Sequence, residues 1–264
     1  VSAFGTLLRE MRIAQRFSQL DFALESDVSS KHISFLETGR SMPSQHMVLH
    51  LAQVLGADLA GTNRLLSAAG FSQVFSHQDL NAPEMKMVKE ALDHMLLSHM
   101  PYPAMVFDQA YNLINGNAAQ FFLIQQMVAL GGKIGERPNI LLAFLDEEGL
   151  KPFVENWEQV ACHMLQRIHQ EHLAGPYRDR ENELLNQALA LPGIPPDWKH
   201  HRVENLDKPV VAFTLKLGEA RLNMFSTIAT IGTPLDVTAQ SIRIEHFFPA
   251  DEPTRDYWIR HCAQ

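Results

Sequence analysis

Between Ser18 and Gly39 the chain has to fit two helices with almost no room to join them. Ser18 is a helix N-cap, and Leu20, Ala23 and Leu24 behind it supply an apolar inner face. Only Ser26-Asp27-Val28 separates this stretch from Ser29, a second cap, after which Ile33 and Leu36 fall at buried positions. Gly39 then provides a left-handed stop. A connection so short forces the two helices to cross steeply. The small Ala23 lets them approach closely. Asp27 stands where the turn needs a left-handed residue, a conformation Asp tolerates better than most.

The flanks are helical as well. Phe4, Leu7, Leu8 and Met11 recur at helical spacing and predict a first helix over 3–15. Pro43-Ser44 restarts the chain after Gly39. Met47, Val48, Leu51, Ala52 and Leu55 then form a fourth stripe ended by Gly56, and Thr62 to Ala69 a fifth ended by Gly70. Five short helices with brief breaks make a compact all-α domain over residues 1–72. Periodicity leaves two readings open: a small helical bundle with no further role, or a helix-turn-helix that presents its second member to DNA.

The string Ser18-Gln19-Leu20-Asp21, Ala23, Asp27-Val28-Ser29-Ser30, Ile33-Ser34, Leu36-Glu37-Thr38-Gly39-Arg40 and Pro43 resembles the Xre/Cro-type helix-turn-helix of phage-repressor-like regulators. Asp27 is a departure, because the family often has glycine there. The resemblance implies a recognition helix over 29–37 lying in the major groove of double-stranded DNA. Ser29, its cap, belongs to the DNA-binding set, and Ser30, Lys31 and His32 then face base edges, Lys31 as a donor to guanine O6 and N7. Ser34 and Phe35 come one turn later. Phe35 either touches a thymine methyl or packs against a neighbouring element. Gln19 matches the family's phosphate-contacting position, and Arg40 and Ser44 are further phosphate partners. Arg12 and Arg16 add charge from the first helix. Two half-sites read by such domains imply a homodimer.

Charge is divided along the chain. Residues 1–72 carry six Lys/Arg and six Asp/Glu, so the net charge of −8 lies wholly in residues 73–264. DNA affinity depends on where cations face phosphates rather than on the sum, and the acidic remainder is not expected to bind DNA. Cys162 and Cys262 have no framework spacing, which fits a reduced, cytoplasmic protein. No secretory start is expected, and no apolar run approaches the roughly 18 residues that a membrane span requires.

Residues 73–82 read as a polar linker before a second domain over 83–264. Asn81, Pro83 and Glu84 open a helix whose apolar face is Met85, Val88, Leu92, Met95 and Leu96. Two short strands come after it at 103–107 and 111–115. Next is a Phe-rich helix near 117–130 with Phe121, Ile124 and Val128 on one side. A long helix is predicted over 150–174 and another near 180–191, before a loop-rich stretch to Pro209. From Val211 the texture alternates with a period of two, predicting strands at 211–217, 221–231 and 242–248. This α+β order suits an antiparallel sheet with helices on one face, a natural setting for a cavity.

Tyr102-Pro103-Ala104-Met105-Val106, Asn112-Leu113-Ile114-Asn115-Gly116-Asn117-Ala118-Ala119, Phe225-Ser226-Thr227, Gly232-Thr233-Pro234-Leu235-Asp236-Val237-Thr238 and Glu245 to Asp251 resemble the MmyB-like ligand-binding domain. With the first domain, the resemblance covers nearly the whole chain. It implies a bacterial regulator with a PAS-like sensor domain, and a fatty acid as the ligand of its pocket. Phe107, Leu113, Phe121, Phe122, Trp157, Met164, Phe213 and Phe225 are candidate lining residues, since adaptable apolar side chains suit a flexible apolar ligand. Ordinary core packing is the competing reading for each. Arg167, His163 and Arg221 are candidates for the group that meets a carboxylate.

Other chemistries have weaker signals. His163, His169 and His172 share one predicted helix, without the accompanying ligands that would make a metal site. No nucleophile turn, phosphate loop or dinucleotide fingerprint occurs, and Gly131-Gly132-Lys133 comes after a helix rather than a strand. Neither an enzyme nor a bound cofactor is expected. A haem- or flavin-holding sensor and an enzyme fused to a helix-turn-helix remain the alternatives.

Overall fold

A computed structural model describes residues 2–136, 138–174, 178–201 and 210–263. Two compact units make up the chain. The first holds the residues up to Gln78 and the later segments Gln170–Asp179 and Pro234–Gln240, and the second holds the rest of the chain from Asp79 onward.

The first unit contains α1 (Ala3–Ala14), α2 (Gln19–Glu25), α3 (Ser30–Thr38), α4 (Gln45–Val54) and α5 (Leu59–Ala68). Each begins on a side-chain cap. Ser2, Ser18, Ser29, Ser44 and Asp58 accept from the backbone N–H three residues on, and Asp21 returns a bond to the Ser18 N–H. α5 starts at Leu59 rather than Thr62 because Asp58 supplies that cap. The turn between α2 and α3 has Asp27 at φ 51°, and α3 ends on Gly39 at φ 76°. Phe4, Leu8, Phe22, Ile33, Leu36, Val48, Leu51 and Leu65 fill the core.

The expected inner face of α2 is corrected. Leu20 and Leu24 are 60% and 74% exposed, whereas Phe22 and Ala23 are buried. Residues 20 and 24 share one side of a two-turn helix, and position 22 lies about 200° round. Only one side can face the core, and Phe22 with Ala23 takes it.

In the second unit come α6 (Lys86–Ser98), β1 (Ala104–Phe107), β2 (Leu113–Gly116), α7 (Ala118–Ala129), α8 (Ile140–Leu145) and α9 (Trp157–Ala174). They are succeeded by α10 (Arg178–Leu189), β3 (Phe213–Leu217), β4 (Ala220–Thr230), β5 (Arg243–Pro249) and α12 (Glu252–Cys262), while α11 (Val237–Ser241), between β4 and β5, belongs but for Ser241 to the first unit. The strands form one antiparallel sheet in the order β2-β1-β5-β4-β3. Alternation along β1 and β5 sends side chains to two cores. Met105 and Phe107 join the larger core with Leu123, Leu141, Trp157 and Trp258. Ala104, Val106, Ile242 and Ile244 pack with Leu92 and Leu96 of α6, so helices cover both faces of the sheet rather than one.

Several boundaries differ from expectation. Ala82, not Asn81, precedes the 3-10 turn Pro83–Met85 that leads into α6. The long helix over 150–174 is interrupted: a 3-10 turn at Lys151–Phe153 contains Pro152, and α9 begins only at Trp157. There Asn156 ties the chain to β3, donating to the Ala212 carbonyl (2.8 Å) and accepting from the Thr214 N–H (3.0 Å). α8 and α12 were not expected; α12 starts at an Asp251 cap with Pro253 in its first turn. The expected loop to Pro209 lies partly outside the described residues.

Within the first unit, Pro234–Gln240 packs on residues read as linker. Asp236 Oδ2 accepts from Ser76 Oγ (2.7 Å) and the Gln78 N–H (3.1 Å). Thr238 Oγ1 donates to the Gln78 carbonyl (2.7 Å), and Gln240 Oε1 accepts from the Leu59 N–H (2.8 Å).

Candidate functional site

α3 is held by its buried side and offers its other side to solvent. Ile33, Leu36 and Glu37 are buried, Ser30 and Lys31 are exposed, and His32, Ser34 and Phe35 are half-buried. Glu37 anchors the helix. Arg12 donates to both of its carboxylate oxygens, Nε to Oε1 at 2.6 Å and Nη2 to Oε2 at 3.1 Å, and Gln19 Nε2 donates to Oε2 at 2.7 Å. Arg12 also donates to the Phe17 carbonyl (2.6 Å). It is therefore a buried strut between α1 and α3, which corrects the expectation that it adds charge for DNA. Arg16 stays exposed.

Two expected contact residues have structural duties. Ser29 and Ser44 cap α3 and α4 with their hydroxyls. Phe35 lies between cations, with Lys31 Nζ 5.6 Å and Arg40 Cζ 5.9 Å from its ring centroid. The aromatic ring thus holds two exposed positive side chains on one side of α3. Gln19, also exposed, spends its amide N–H on Glu37.

The second unit encloses a cavity of about 320 Å³ between the sheet and the helices α7, α8 and α9. Most of its wall is hydrocarbon: Leu123, Ile124 and Met127 from α7, Phe144 from α8, Met164 from α9 and Met224 from β4. Polar groups also line it: Gln120, His163, Arg167, Ser226 and Glu245. Ser226 Oγ donates to Glu245 Oε1 (2.6 Å), and Arg167 Nη2 donates to the Tyr111 hydroxyl (3.2 Å). Burial pushes the Glu245 carboxyl up, against the opposing effects of the Ser226 hydroxyl and the Arg167 charge. The surface Glu245 keeps faces the cavity rather than open water. Burial first, and then the neighbouring His201, pushes His163 down, which favours its neutral form. Gln120 Oε1 and His163 Nε2 are buried without a hydrogen-bond partner among the described residues.

Two family models match the chain. One is a helix-turn-helix over residues 8–61, and the other is the MmyB-like transcription regulator ligand binding domain over residues 88–257. The chain belongs to the MmyB-like family of transcription regulators. Its two matched domains make it a ligand-responsive, DNA-binding regulator. No curated protein matches this MmyB-like regulator.

Of the candidate lining residues in this MmyB-like domain, the structure places Leu113, Met164 and Phe213 on the cavity wall. The other five lie elsewhere. Phe107 stacks on Tyr111 in the core, and Trp157 donates to the Phe144 carbonyl (2.9 Å) beneath Lys151. Phe122 packs against Trp258 and His261. Phe225 points to the opposite sheet face, stacked on Phe248, because Met224 and Ser226 flank it on the cavity side. Phe121 is 42% exposed. The stretch Ala118–Ala129 is apolar nearly all round, so periodicity could not choose its inward face, which is Ala119, Gln120, Leu123 and Met127.

Of the polar candidates, Arg167 and His163 line the cavity, while Arg221 is paired with Glu155 away from it. Sequence reasoning missed Gln120, Ser226 and Glu245. For Glu245 a signal existed: a lone acid between Ile244 and the aromatic run His246-Phe247-Phe248 in an alternating strand. Among the described residues no three His, Cys, Asp or Glu side chains gather as metal ligands; the His172 side chain lies outside them. No helix among them is long and apolar enough to cross a membrane.

Proposed function

We propose that the cavity of the second unit takes an apolar-chain molecule with a small polar head, a fatty acid in the simplest case, and that occupancy alters how tightly a homodimer holds its operator. The observation that carries this reading is the cavity itself: a hydrocarbon wall with a few polar groups, the usual make-up of a small-molecule site. Arg167 lines the cavity together with Gln120 Oε1 and His163 Nε2, which have no hydrogen-bond partner among the described residues, and a polar head would meet these groups. In the first unit, Ser30 and Lys31 reach base edges, with Ser34 and Phe35 one turn behind, while Gln19 and Arg40 serve phosphates. Ser29 and Ser44 act at the DNA surface mainly by presenting capped helix starts. The fatty-acid ligand, the homodimer and the bacterial, cytoplasmic setting rest on the resemblance to this family.

Mass spectrometry of small molecules extracted from purified protein tests the ligand. Long-chain acids at near one equivalent are expected, and an extract containing haem, flavin or nothing apolar defeats the reading. For the reader, Lys31→Ala should relax preference at one base pair by about 1–3 kcal/mol. Unchanged selectivity in a competition-binding series removes Lys31 from base recognition.

A further inference from the structure

Among the described residues, the polar part of the cavity holds one acid, Glu245, and one permanent cation, Arg167. Glu245 of β5 accepts from Ser226 of β4 and feels the charge of Arg167 from α9. Arg167 donates to the Tyr111 hydroxyl, with its guanidinium 5.8 Å from that ring's centroid. Of the other described groups turned to this space, His163 of α9 is pushed toward its neutral form, α7 brings the Gln120 amide, and β1 brings Met105. A guanidinium stays protonated at every accessible pH. Whatever else Arg167 meets, ionising or protonating Glu245 changes the charge beside the cavity by one unit.

An arriving carboxylate adds −1. Against an ionised Glu245 it sets two anions beside one cation between hydrocarbon walls, an arrangement that like-charge repulsion and desolvation both disfavour. One added proton, shared between the two carboxyl groups, removes that repulsion. We propose that Glu245 makes the cavity take up a carboxylic acid together with one proton, the two carboxyl groups holding that proton between them beside Arg167. The proton comes from solvent and no covalent bond changes. This deepens the fatty-acid reading and rests on it. Burial, by raising Glu245, brings the exchange nearer to neutral pH than an exposed glutamate allows. An alcohol of the same chain length brings no charge and needs no proton. The ligand signal is thus read jointly with pH.

Calorimetric titration of the full chain with decanoate and with decanol, from about pH 6 to about pH 9, tests this. Decanoate affinity is expected to fall with rising pH, by up to about tenfold per unit, while decanol affinity stays flat. Repeating the decanoate titration in buffers of different ionisation enthalpy should show proton uptake. Glu245→Gln should remove the pH dependence and bind decanoate more tightly than the parent at the alkaline end. Circular dichroism checks that the variant folds; if it does not, the acid–alcohol comparison on the unaltered protein decides alone. Flat profiles for both ligands, or matched slopes, overturn the role of Glu245 while leaving the apolar-ligand reading standing. Failure of both ligands to bind at every pH overturns both readings.

Discussion

At the scale of single residues, the DNA-reading unit depends on a buried ion pair. Arg12 and Glu37 are almost fully enclosed, and between them they tie α1, α3, the Phe17 carbonyl and Gln19. Breaking one partner leaves an uncompensated buried charge, so Arg12→Ala should cost about 3–5 kcal/mol in urea unfolding of the first unit. The double change Arg12→Met with Glu37→Leu should recover most of that loss, because both charges leave together. A double variant as unstable as the single one would mean that the pair is worth more than its desolvation. Gly5 makes the same contact in backbone form. A Cβ there would overlap the Glu37 carbonyl oxygen and lie 2.6 Å from that of Leu36. Gly5→Ala should therefore destabilise by about 1–3 kcal/mol, as overpacking does, and a neutral melting temperature would show that α1 can move off α3. Neither effect was legible in the sequence: Arg12 read as a cation for DNA, and nothing near Gly5 pointed to a close contact, since their partners lie far along the chain.

Among elements, the contact of α6 with the sheet carries a pH response. His99, at the end of α6, lies with its ring centroid 4.8 Å from that of His246 on β5, and its Nε2 is 2.8 Å from the Phe247 carbonyl oxygen. Only a protonated ring nitrogen can make that bond, so Nε2 is the donor. Burial holds both imidazoles below their ordinary 6.5; for His99 it outweighs the Phe247 carbonyl, and for His246 the His99 charge adds to it. The unfolded chain then binds more protons than the folded one in mild acid. The stabilisation is complete above 6.5 and is lost as pH falls through the lower folded values. Denaturation midpoints of the parent should drop between about pH 7 and about pH 5, and His246→Phe should flatten much of that fall. An unchanged slope in the variant would place the response elsewhere, for instance at His163. Strand periodicity predicted these sheet elements well, because an alternating strand shows its two faces in its own sequence. Helices with apolar residues all round, such as α7, show no such preference, and their neighbours choose the face.

For the whole molecule, charge is segregated: the net −8 belongs to the part after residue 72. With Arg12 consumed inside the fold, Lys31 and Arg40 beside Phe35 are the cations best presented near α3. Each phosphate neutralised contributes about −0.9 to the slope of log affinity against log salt, so Arg40 should give about −1 per chain. Arg40→Ala should reduce the slope by about one unit without changing base preference; a slope left intact would exclude Arg40 from phosphate contact. Coupling between ligand and operator must also be reciprocal. Whatever factor decanoate imposes on operator affinity, operator DNA should impose on decanoate affinity, as paired titrations would show.

Local chemistry determined much of this protein from its sequence. The caps at Ser18, Ser29 and Ser44, the left-handed positions at Asp27 and Gly39, and the alternation of the last strands all act within a few residues of themselves, so the chain could be read for them directly. Tertiary structure decided which side of α2 and α7 is buried, that Arg12 serves the core, and that Gln120, Arg167, Ser226 and Glu245 share one cavity. Those outcomes depend on competition among distant segments for a limited interior. A buried charge or a cavity is the property of the groups that enclose it, and they come together only when the chain has folded.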